Sequence, residues 1–104
     1  MTTRPLSTVG PEVEMSVHVE VELFGVPRML AGGRSLRVEG ATLEEVAVAL
    51  GRACPALVGR VLDADGGWLV GGYTFVVDER FTRDPGTAVT DETAVLLVSS
   101  VAGG

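Results

Sequence analysis

Lysine, asparagine, glutamine and isoleucine are absent from this chain, and cysteine and histidine occur once each, as Cys54 and His18. A single cysteine excludes a disulfide within the chain and any zinc site built from several cysteines. One histidine in a strand-like stretch, far from any Gly-x-Ser-x-Gly turn, is a poor basis for a serine hydrolase triad or a metal site. Because lysine is missing, no side-chain amine of this chain can accept an isopeptide bond.

Phosphate-binding loops and membrane-spanning stretches are missing as well. The glycine pairs at 66–67 and 71–72 have neither the spacing nor the following lysine of a nucleotide-binding loop. No apolar run is long enough to cross a bilayer, and the first residues lack the apolar stretch of a signal peptide. With 104 residues and a hydrophobic content of 46%, the sequence predicts one folded domain in the cytoplasm.

The charge balance is acidic. Eight basic residues, all of them arginine, stand against 14 aspartates and glutamates, and the net charge at pH 7 is −6. Such a surface repels the phosphate backbone of nucleic acids. The sequence therefore predicts neither nucleic acid nor membrane as a partner, and it favours a protein partner with a basic or apolar face.

The first third of the chain predicts an extension followed by two strands. Residues 1–14 are polar, with proline and glycine but no periodicity, and predict a flexible N-terminal extension. Apolar and polar residues alternate strictly over 15–23, which is typical of a strand with one solvated face. Residues 25–33 carry the glycines and the proline of a turn or broad loop. Leu36 and Val38 then alternate with charged residues, so we expect a second strand that forms a hairpin with the first.

A helix is predicted next, and its start is marked by a capping box at Thr42 and Glu45. The Thr42 hydroxyl is expected to accept a hydrogen bond from a free helical N–H, and the Glu45 carboxylate to reach back to the Thr42 amide. Pro55 is expected to end the helix. Five apolar residues share one helical face: Leu43, Val46, Ala47, Leu50 and Cys54. On this face Cys54 is either a buried core residue or, alternatively, a thiol that handles sulfur.

Two more strands are predicted in the second half of the chain, at 73–78 and 94–98, after an irregular segment at 56–72. The strand at 94–98 is apolar on both faces, which suits a central position in a sheet. The order is β-β-α-β-β, with room for one further short strand. It predicts an α+β domain in which a mixed sheet of four to five strands carries one main helix on one face.

The end of the sequence is its most informative part. After the last predicted strand, residues 99–104 are small and finish in Gly103 and Gly104. Glycine lacks a side chain, so an extended Gly-Gly can enter a channel too narrow for other residues, and it leaves the terminal carboxylate open to attack. The residues alone leave two interpretations: an exposed tail that carries chemistry, or an end without a function.

Several segments resemble motifs of the MoaD/ThiS family of ubiquitin-like sulfur carriers, and they occur in the family's order. Leu23-Phe24-Gly25, followed by Arg28, is similar to the first-hairpin motif of the MoaD branch. The segment at 38–43 resembles the entry into the family's helix, the segment at 90–95 the turn before its last strand, and Val-Ala-Gly-Gly at 101–104 its ending. The resemblance covers 15–104 and implies a ubiquitin-like β-grasp fold. Family tails usually carry proline near the positions of Ser99 and Ser100, and this chain does not.

The resemblance implies a sulfur carrier that acts with other enzymes and is not a catalyst on its own. A ubiquitin-activating-like adenylyltransferase/sulfurtransferase would use ATP and Mg²⁺ to adenylate the Gly104 carboxylate, and a sulfur donor would convert it to a thiocarboxylate. Gly103 would give access to the partner's narrow site. The carrier itself is expected to bind no cofactor and no metal. The second partner would be a sulfur-accepting synthase, and the Leu-Phe-Gly hairpin favours the large subunit of molybdopterin synthase.

Five further residues are expected to contact these partners. Ser100, Val101 and Ala102 belong to the tail, and Phe24 and Arg28 to the hairpin motif. Phe24 has the parity of the solvated face of its strand, so it either docks a partner there or folds inward at the strand end. Arg28 either contacts a partner or is solvated.

Two other functions stay open at this point. One is a protein modifier that is joined through Gly104 to lysines of target proteins. The other is a β-grasp interaction domain whose Gly-Gly ending has no role. Within the sulfur-carrier function, the acceptor is a molybdopterin precursor, a thiazole, an activated serine that becomes cysteine, or a secondary metabolite.

Overall fold

The computed structural model describes residues 17–65 and 67–100. The predicted extension at 1–14 and the last four residues, 101–104, lie outside the described residues. Eight elements follow one another in the described part: β1 (His18–Leu23), α1 (Val26–Ala31), β2 (Ser35–Glu39), α2 (Leu43–Ala53), a 3-10 helix (Pro55–Leu57), β3 (Tyr73–Val77), β4 (Arg80–Thr82) and β5 (Val95–Ser99).

The five described strands form one mixed sheet in the order β2-β1-β5-β3-β4. Strands β1 and β5 run parallel, and the three other neighbouring pairs are antiparallel. The last strand is therefore central, as its apolar sequence predicts, and β4 is the additional short strand. The predicted α+β architecture, a mixed sheet with one main helix on one face, is confirmed.

Helix α2 covers one face of this sheet. Four residues of the predicted apolar face, Leu43, Val46, Ala47 and Leu50, are fully buried, so the prediction is confirmed for these four. They meet the inward-facing side chains of the central strands, among them Phe75 and Leu97, which are also fully buried. Leu57, Val61, Leu62 and Leu69 of the segment between α2 and β3 complete the core.

The start of α2 follows the predicted capping box with one difference. The Thr42 hydroxyl accepts a hydrogen bond from the Glu45 amide at 3.3 Å. The Glu45 carboxylate reaches back to the amide of Ala41, at 2.8 Å, and not to that of Thr42 as predicted. The carboxylate thus satisfies a donor one position before the N-cap, and both interactions fix the direction in which the chain enters the helix.

The chain approaches α2 through a glycine that has no room for a side chain. Gly40 is buried, and a Cβ there would lie 2.8 Å from the Val46 nitrogen and 3.0 Å from the Glu45 carbonyl carbon. Its amide donates to the carbonyl of Val17 at 2.8 Å, which ties the end of β2 to the start of β1. The contact between β2 and α2 therefore depends on the absence of a side chain at position 40.

Residues 25–33 do not form the predicted loop alone, because helix α1 occupies Val26–Ala31. Its six residues are too few to display an apolar period in the sequence. Pro27 lies in the first turn, where its missing N–H costs nothing. Gly32 ends the helix in the left-handed conformation, with φ of +72°, and its amide donates to the carbonyl of Arg28.

Helix α2 ends at Ala53, so Cys54 is its C-cap and not part of the buried helical face. The side chain is half-buried and packs against the edge of the core. Its thiol faces the carbonyl of Leu30 at 3.8 Å, a weak contact for sulfur. Among the helices of the described ranges, none combines the length and the apolar character that a membrane crossing needs.

Candidate functional site

Four segments of the chain meet at one end of the sheet, where the central strand β5 finishes; we call this end the edge where β5 ends. Because β1 and β5 are parallel, Phe24 directly after β1 lies beside the end of β5. Because β3 is antiparallel to β5 and β4 to β3, the same edge holds the start of β3 and the end of β4. Phe24, helix α1, the loop before β3 and Arg83 after β4 therefore surround the end of β5. The last residues of the chain begin at this edge.

The backbone holds the chain at this edge up to the last described residue. Ser99 is the final residue of β5 and pairs with Tyr73, so the strand extends one position beyond the predicted end at Val98. The amide of Ser100 donates to the carbonyl of Gly72 at 2.8 Å. The tail that the sequence places at 99–104 thus has its first two residues bound to the neighbouring loop and strand. Their side chains are exposed.

The remaining tail residues of the predicted site, Val101, Ala102, Gly103 and Gly104, lie outside the described residues. Their assignment as adenylation and partner-binding residues stays a prediction. What the structure contributes is their starting point, the exposed edge beyond Ser100.

Phe24 is exposed and does not fold inward. Its ring keeps 37% of its accessible surface, and its amide donates to the carbonyl of Leu97 at 3.2 Å, so the chain is still aligned with β5 at this position. Leu23 before it is buried, and the alternation of a strand therefore directs Phe24 to the face opposite α2. Of the two alternatives that the sequence left open, the surface position is the observed one.

The face opposite α2, which we call the open face, carries a strip of apolar side chains. Leu96 and Val98 of β5 and Val76 of β3 are half-buried there. Strand pairing places Phe81 of β4 in line with Val76, and Phe81 is 73% exposed. Phe24 continues the strip to the edge where β5 ends. An exposed strip that crosses several strands is typical of a surface that binds another protein.

An acidic groove adjoins this strip at the other end of β5. The groove has a volume of about 490 Å³, and Leu96 contributes to both surfaces. The carboxylates of Glu20, Glu22 and Asp91 line it together with Arg34. Ser35 holds the Glu20 carboxylate through a hydrogen bond of 2.8 Å. The open face therefore combines an apolar centre with an end of predominantly negative charge, which matches a partner whose contact surface is apolar and basic.

Arg28 lies in helix α1 with its side chain exposed. The helix contacts β5, and its neighbouring side chains Val26 and Met29 are exposed by 43% and 79%. Arg28 thus belongs to the surface around the edge where β5 ends. Whether a partner binds its guanidinium stays a prediction.

Arg83 is a member of this edge that the sequence analysis missed. Its guanidinium donates to the backbone carbonyls of Leu69 at 3.1 Å and Val70 at 3.3 Å, both in the loop before β3, and through a short hydrogen bond to that of Tyr73, the first residue of β3. Gly72, whose carbonyl accepts a hydrogen bond from the Ser100 amide, lies within this loop. No sequence motif marks Arg83, because an arginine after a short strand usually points into solvent.

Metal-ligating side chains do not cluster in the described ranges. No three side chains of histidine, cysteine, aspartate or glutamate come together there in a way that holds a metal ion. Cys54 is half-buried beside Leu30 of helix α1. The arrangement offers a binding surface and a backbone that is held by hydrogen bonds up to Ser100.

Comparison with solved structures identifies the fold and the family. Small archaeal modifier protein 1 from Haloferax volcanii is 30% identical, and the match covers 84% of this chain and 99% of that one with a TM-score of 0.71. A Pyrococcus furiosus protein assigned as molybdopterin converting factor subunit 1 is 21% identical over 82% of this chain and 99% of that one, with a TM-score of 0.64. A chain of the BexX/CysO complex from Amycolatopsis orientalis is 22% identical over 83% and 99%, with a TM-score of 0.67. No protein-family model and no curated protein matches the chain.

The two less similar structures support the fold, and the Haloferax protein supports more than the fold because 30% identity extends over almost all of its length. The described sheet, with parallel first and last strands and one main helix, is a ubiquitin-like β-grasp fold. The chain belongs to the MoaD/ThiS-like family of ubiquitin-like sulfur carriers.

Proposed function

We propose that this protein carries sulfur as a C-terminal thiocarboxylate on Gly104. The observation that supports this most directly is the position of the chain end. The central strand leads to an exposed edge at Ser100, and Gly103 and Gly104 follow within four residues. Four residues of extended chain reach roughly 13–14 Å, enough to enter an active site of a bound partner. Family membership supports the same function.

The chemistry belongs to the partners and the reacting atom to the carrier. A carboxylate is a poor electrophile, so an oxygen of the Gly104 carboxylate first attacks the α-phosphorus of ATP on an activating enzyme. Pyrophosphate leaves, and an acyl-adenylate remains. A hydrosulfide then attacks the acyl carbon, the bond between that carbon and the AMP oxygen breaks, AMP leaves and a thiocarboxylate remains. If the donor is a protein persulfide, the first product is an acyl disulfide, and a thiol reduces its S–S bond to release the thiocarboxylate. Mg²⁺ and ATP are bound by the activating enzyme, so this chain needs no catalytic side chain of its own.

The open face is the proposed docking surface for the activating enzyme. Its apolar strip ends at Phe24, beside the edge from which the tail follows, so a protein bound there lies within reach of the tail. The acidic groove at the other end of β5 orients a basic partner along the strand. Phe24 lies at the end of this surface nearest to the tail. Arg28 and Ser100 lie at the same end of the sheet, and the proposal assigns all three partner contacts.

The test is the gain of sulfur by the purified carrier. Incubated with its cognate activating enzyme, ATP, Mg²⁺ and a sulfur donor, the wild type is expected to gain the mass of one sulfur in place of one oxygen. Deletion of Gly103 and Gly104 should abolish this gain. One extra residue after Gly104 should also abolish it, since it moves the carboxylate about 3.5 Å along an extended chain, out of the geometry for in-line attack.

Thermal unfolding provides the control for both variants, and it should be unchanged because the described core ends before the tail. A chain with the extra residue that gains sulfur as well as the wild type, without being trimmed back to Gly104, would contradict the proposal. So would a wild type that forms no acyl-adenylate with any activating enzyme from its own genome.

A second candidate function is favoured by the name of the 30% identical structure, a small archaeal modifier protein. As a modifier, the chain would be joined through Gly104 to lysines of target proteins. Both functions begin with the same adenylation and differ in the product. Conjugates of higher mass that resist thiols, found by mass spectrometry with a Gly104–lysine linkage, would establish modification. The chain has no lysine, so no copy could be joined to a lysine of another copy.

Among sulfur acceptors we propose a molybdopterin precursor, received on the large subunit of molybdopterin synthase. The hairpin motif with Phe24 and Arg28 supports this choice, and one of the similar structures is assigned as a molybdopterin converting factor subunit. Cysteine, thiazole and secondary-metabolite synthesis are the alternatives; another similar structure is a complex that contains CysO. The thiocarboxylate form should be offered separately to each purified synthase with its substrate. Loss of the carrier's sulfur only with a synthase other than molybdopterin synthase would overturn the choice.

A further inference from the structure

The loop before β3 carries the last backbone contact of the described chain end. The carbonyl of Gly72 accepts a hydrogen bond of 2.8 Å from the Ser100 amide. Gly72 has φ of +99°, a conformation that residues with a side chain rarely adopt. The direction of its carbonyl therefore depends on how the loop as a whole is held.

Arg83 holds this loop from both sides of Gly72. Before the glycine its guanidinium binds the carbonyls of Leu69 and Val70, and after it the carbonyl of Tyr73. The planar guanidinium places several N–H donors in a fixed geometry, which the single ammonium group of lysine does not reproduce. Leu69 is anchored by its buried side chain, so the guanidinium connects the core, the loop and the start of β3.

We propose that Arg83 is a positioning residue for the tail. By fixing the carbonyls around Gly72, it keeps the Gly72 carbonyl aimed at the Ser100 amide, and this sets the position and the direction of the chain at Ser100, the residue to which the tail is joined. The role rests on the proposed function, because it matters to activity only if Gly104 must reach a partner's active site. Arg83 touches none of the reacting atoms and acts through Gly72 and Ser100.

This role predicts a specific pattern of loss. Without Arg83 the open face is unchanged, so the activating enzyme still docks. The tail starts from a loop with more freedom, and fewer bound complexes place the carboxylate in line for attack. Replacement of Arg83 should therefore lower kcat of thiocarboxylate formation and leave KM for the carrier nearly unchanged.

The experiment compares Arg83→Met and Arg83→Lys with Arg80→Met. Arg80 is a suitable control because it is an exposed arginine at the start of β4, three residues before Arg83, and no hydrogen bond or ion pair of its side chain occurs in the described part of the chain. Each variant is assayed for thiocarboxylate formation with the cognate activating enzyme, and for amide hydrogen exchange by NMR. Arg83→Met should lower kcat about 10- to 100-fold. Exchange of the Ser100 amide should accelerate about tenfold, the effect of one lost hydrogen bond.

Arg83→Lys should lie between Arg83→Met and the wild type, and Arg80→Met should match the wild type in both measurements. Fast exchange at Leu97 and Val98 in Arg83→Met would show that β5 itself has opened. In that case kcat and Ser100 exchange of Arg83→Lys decide whether Arg83 positions the tail. Normal kcat in the variant with fast Ser100 exchange would overturn the positioning role, and so would unchanged Ser100 exchange. A wild type that gains no sulfur would refute the proposed function, while the exchange measurement would still decide whether Arg83 holds the Ser100 amide.

Discussion

The two faces of strand β5 have nearly the same composition and different environments. Val95 and Leu97 point toward α2 and are buried, whereas Leu96 and Val98 point to the open face and remain half-buried. An apolar residue on the covered face contributes to the stability of the fold. An apolar residue on the open face is retained at a cost in solubility, which a binding role would explain. Sequence alone cannot separate these two roles, since all four residues are aliphatic.

The sharpest way to test this difference uses one residue type on both faces. Phe75 is fully buried and Phe81 is 73% exposed, on adjacent paired strands. Phe75→Ala should lower the free energy of unfolding by about 3–5 kcal/mol, because it leaves a cavity in the core. Phe81→Ala should change it by no more than about 0.5 kcal/mol. Urea denaturation followed by circular dichroism measures both values.

The same pair separates stability from docking. If the open face binds the activating enzyme, Phe81→Ala raises KM for the carrier while its unfolding curve stays that of the wild type. A Phe81→Ala protein as unstable as Phe75→Ala would mean that the open face belongs to the structural core, and the contrast between the faces would be lost.

A smaller loss of stability is expected at Gly40, where the backbone after β2 lies against the start of α2. Gly40→Ala places a Cβ 2.8 Å from the Val46 nitrogen, and the backbone shift that relieves this contact should cost about 1–3 kcal/mol. Gly33→Ala is the matched control, because a Cβ there meets no atom within 4 Å. Thermal unfolding of both variants gives the comparison. Equal melting temperatures would show that the approach of β2 to α2 tolerates a side chain.

The smallest effect concerns the cap that begins the covering helix. Thr42→Ala removes the acceptor of the Glu45 amide and should lower the free energy of unfolding by about 1 kcal/mol. Thr42→Ser keeps an equivalent hydroxyl and should restore most of this loss. Neither variant should alter the rate at which folded carrier gains sulfur. If fully folded Thr42→Ala gained sulfur more slowly than the wild type, part of the functional surface would lie on the side of the sheet that α2 covers.

The elements with a clear period could be predicted from the sequence, and the short ones could not. Strict alternation predicts β1, and the apolar face at Leu43, Val46 and Leu50 predicts α2. Helix α1 is shorter than two turns, so no period distinguishes it from a loop. The β3–β4 turn places Asp78 and Glu79 at positive φ; aspartate is common at the first of these positions, but glycine at the second would have been the recognisable signal.

The candidate site divides in the same way. The tail and Phe24 could be singled out because small residues and strand parity are visible in the sequence. The partner of the Ser100 amide depends on which loop the fold brings beside β5, and that loop belongs to a distant part of the chain. Arg83 contacts backbone carbonyls, which every residue possesses, so no side-chain pattern reveals it.

The parallel pairing of β1 and β5 also has a consequence for how the protein is made. Val21 pairs with Val95, so the two strands at the centre of the sheet come from the beginning and the end of the described chain. During synthesis the β1–β2 hairpin and α2 emerge first, and their shared core lacks its central strand until β5 has left the ribosome. Pairing of such distant segments slows folding. Until β5 pairs with β1, the apolar residues that β5 covers stay exposed, and only a chain that has closed its sheet presents both the open face and the end of β5.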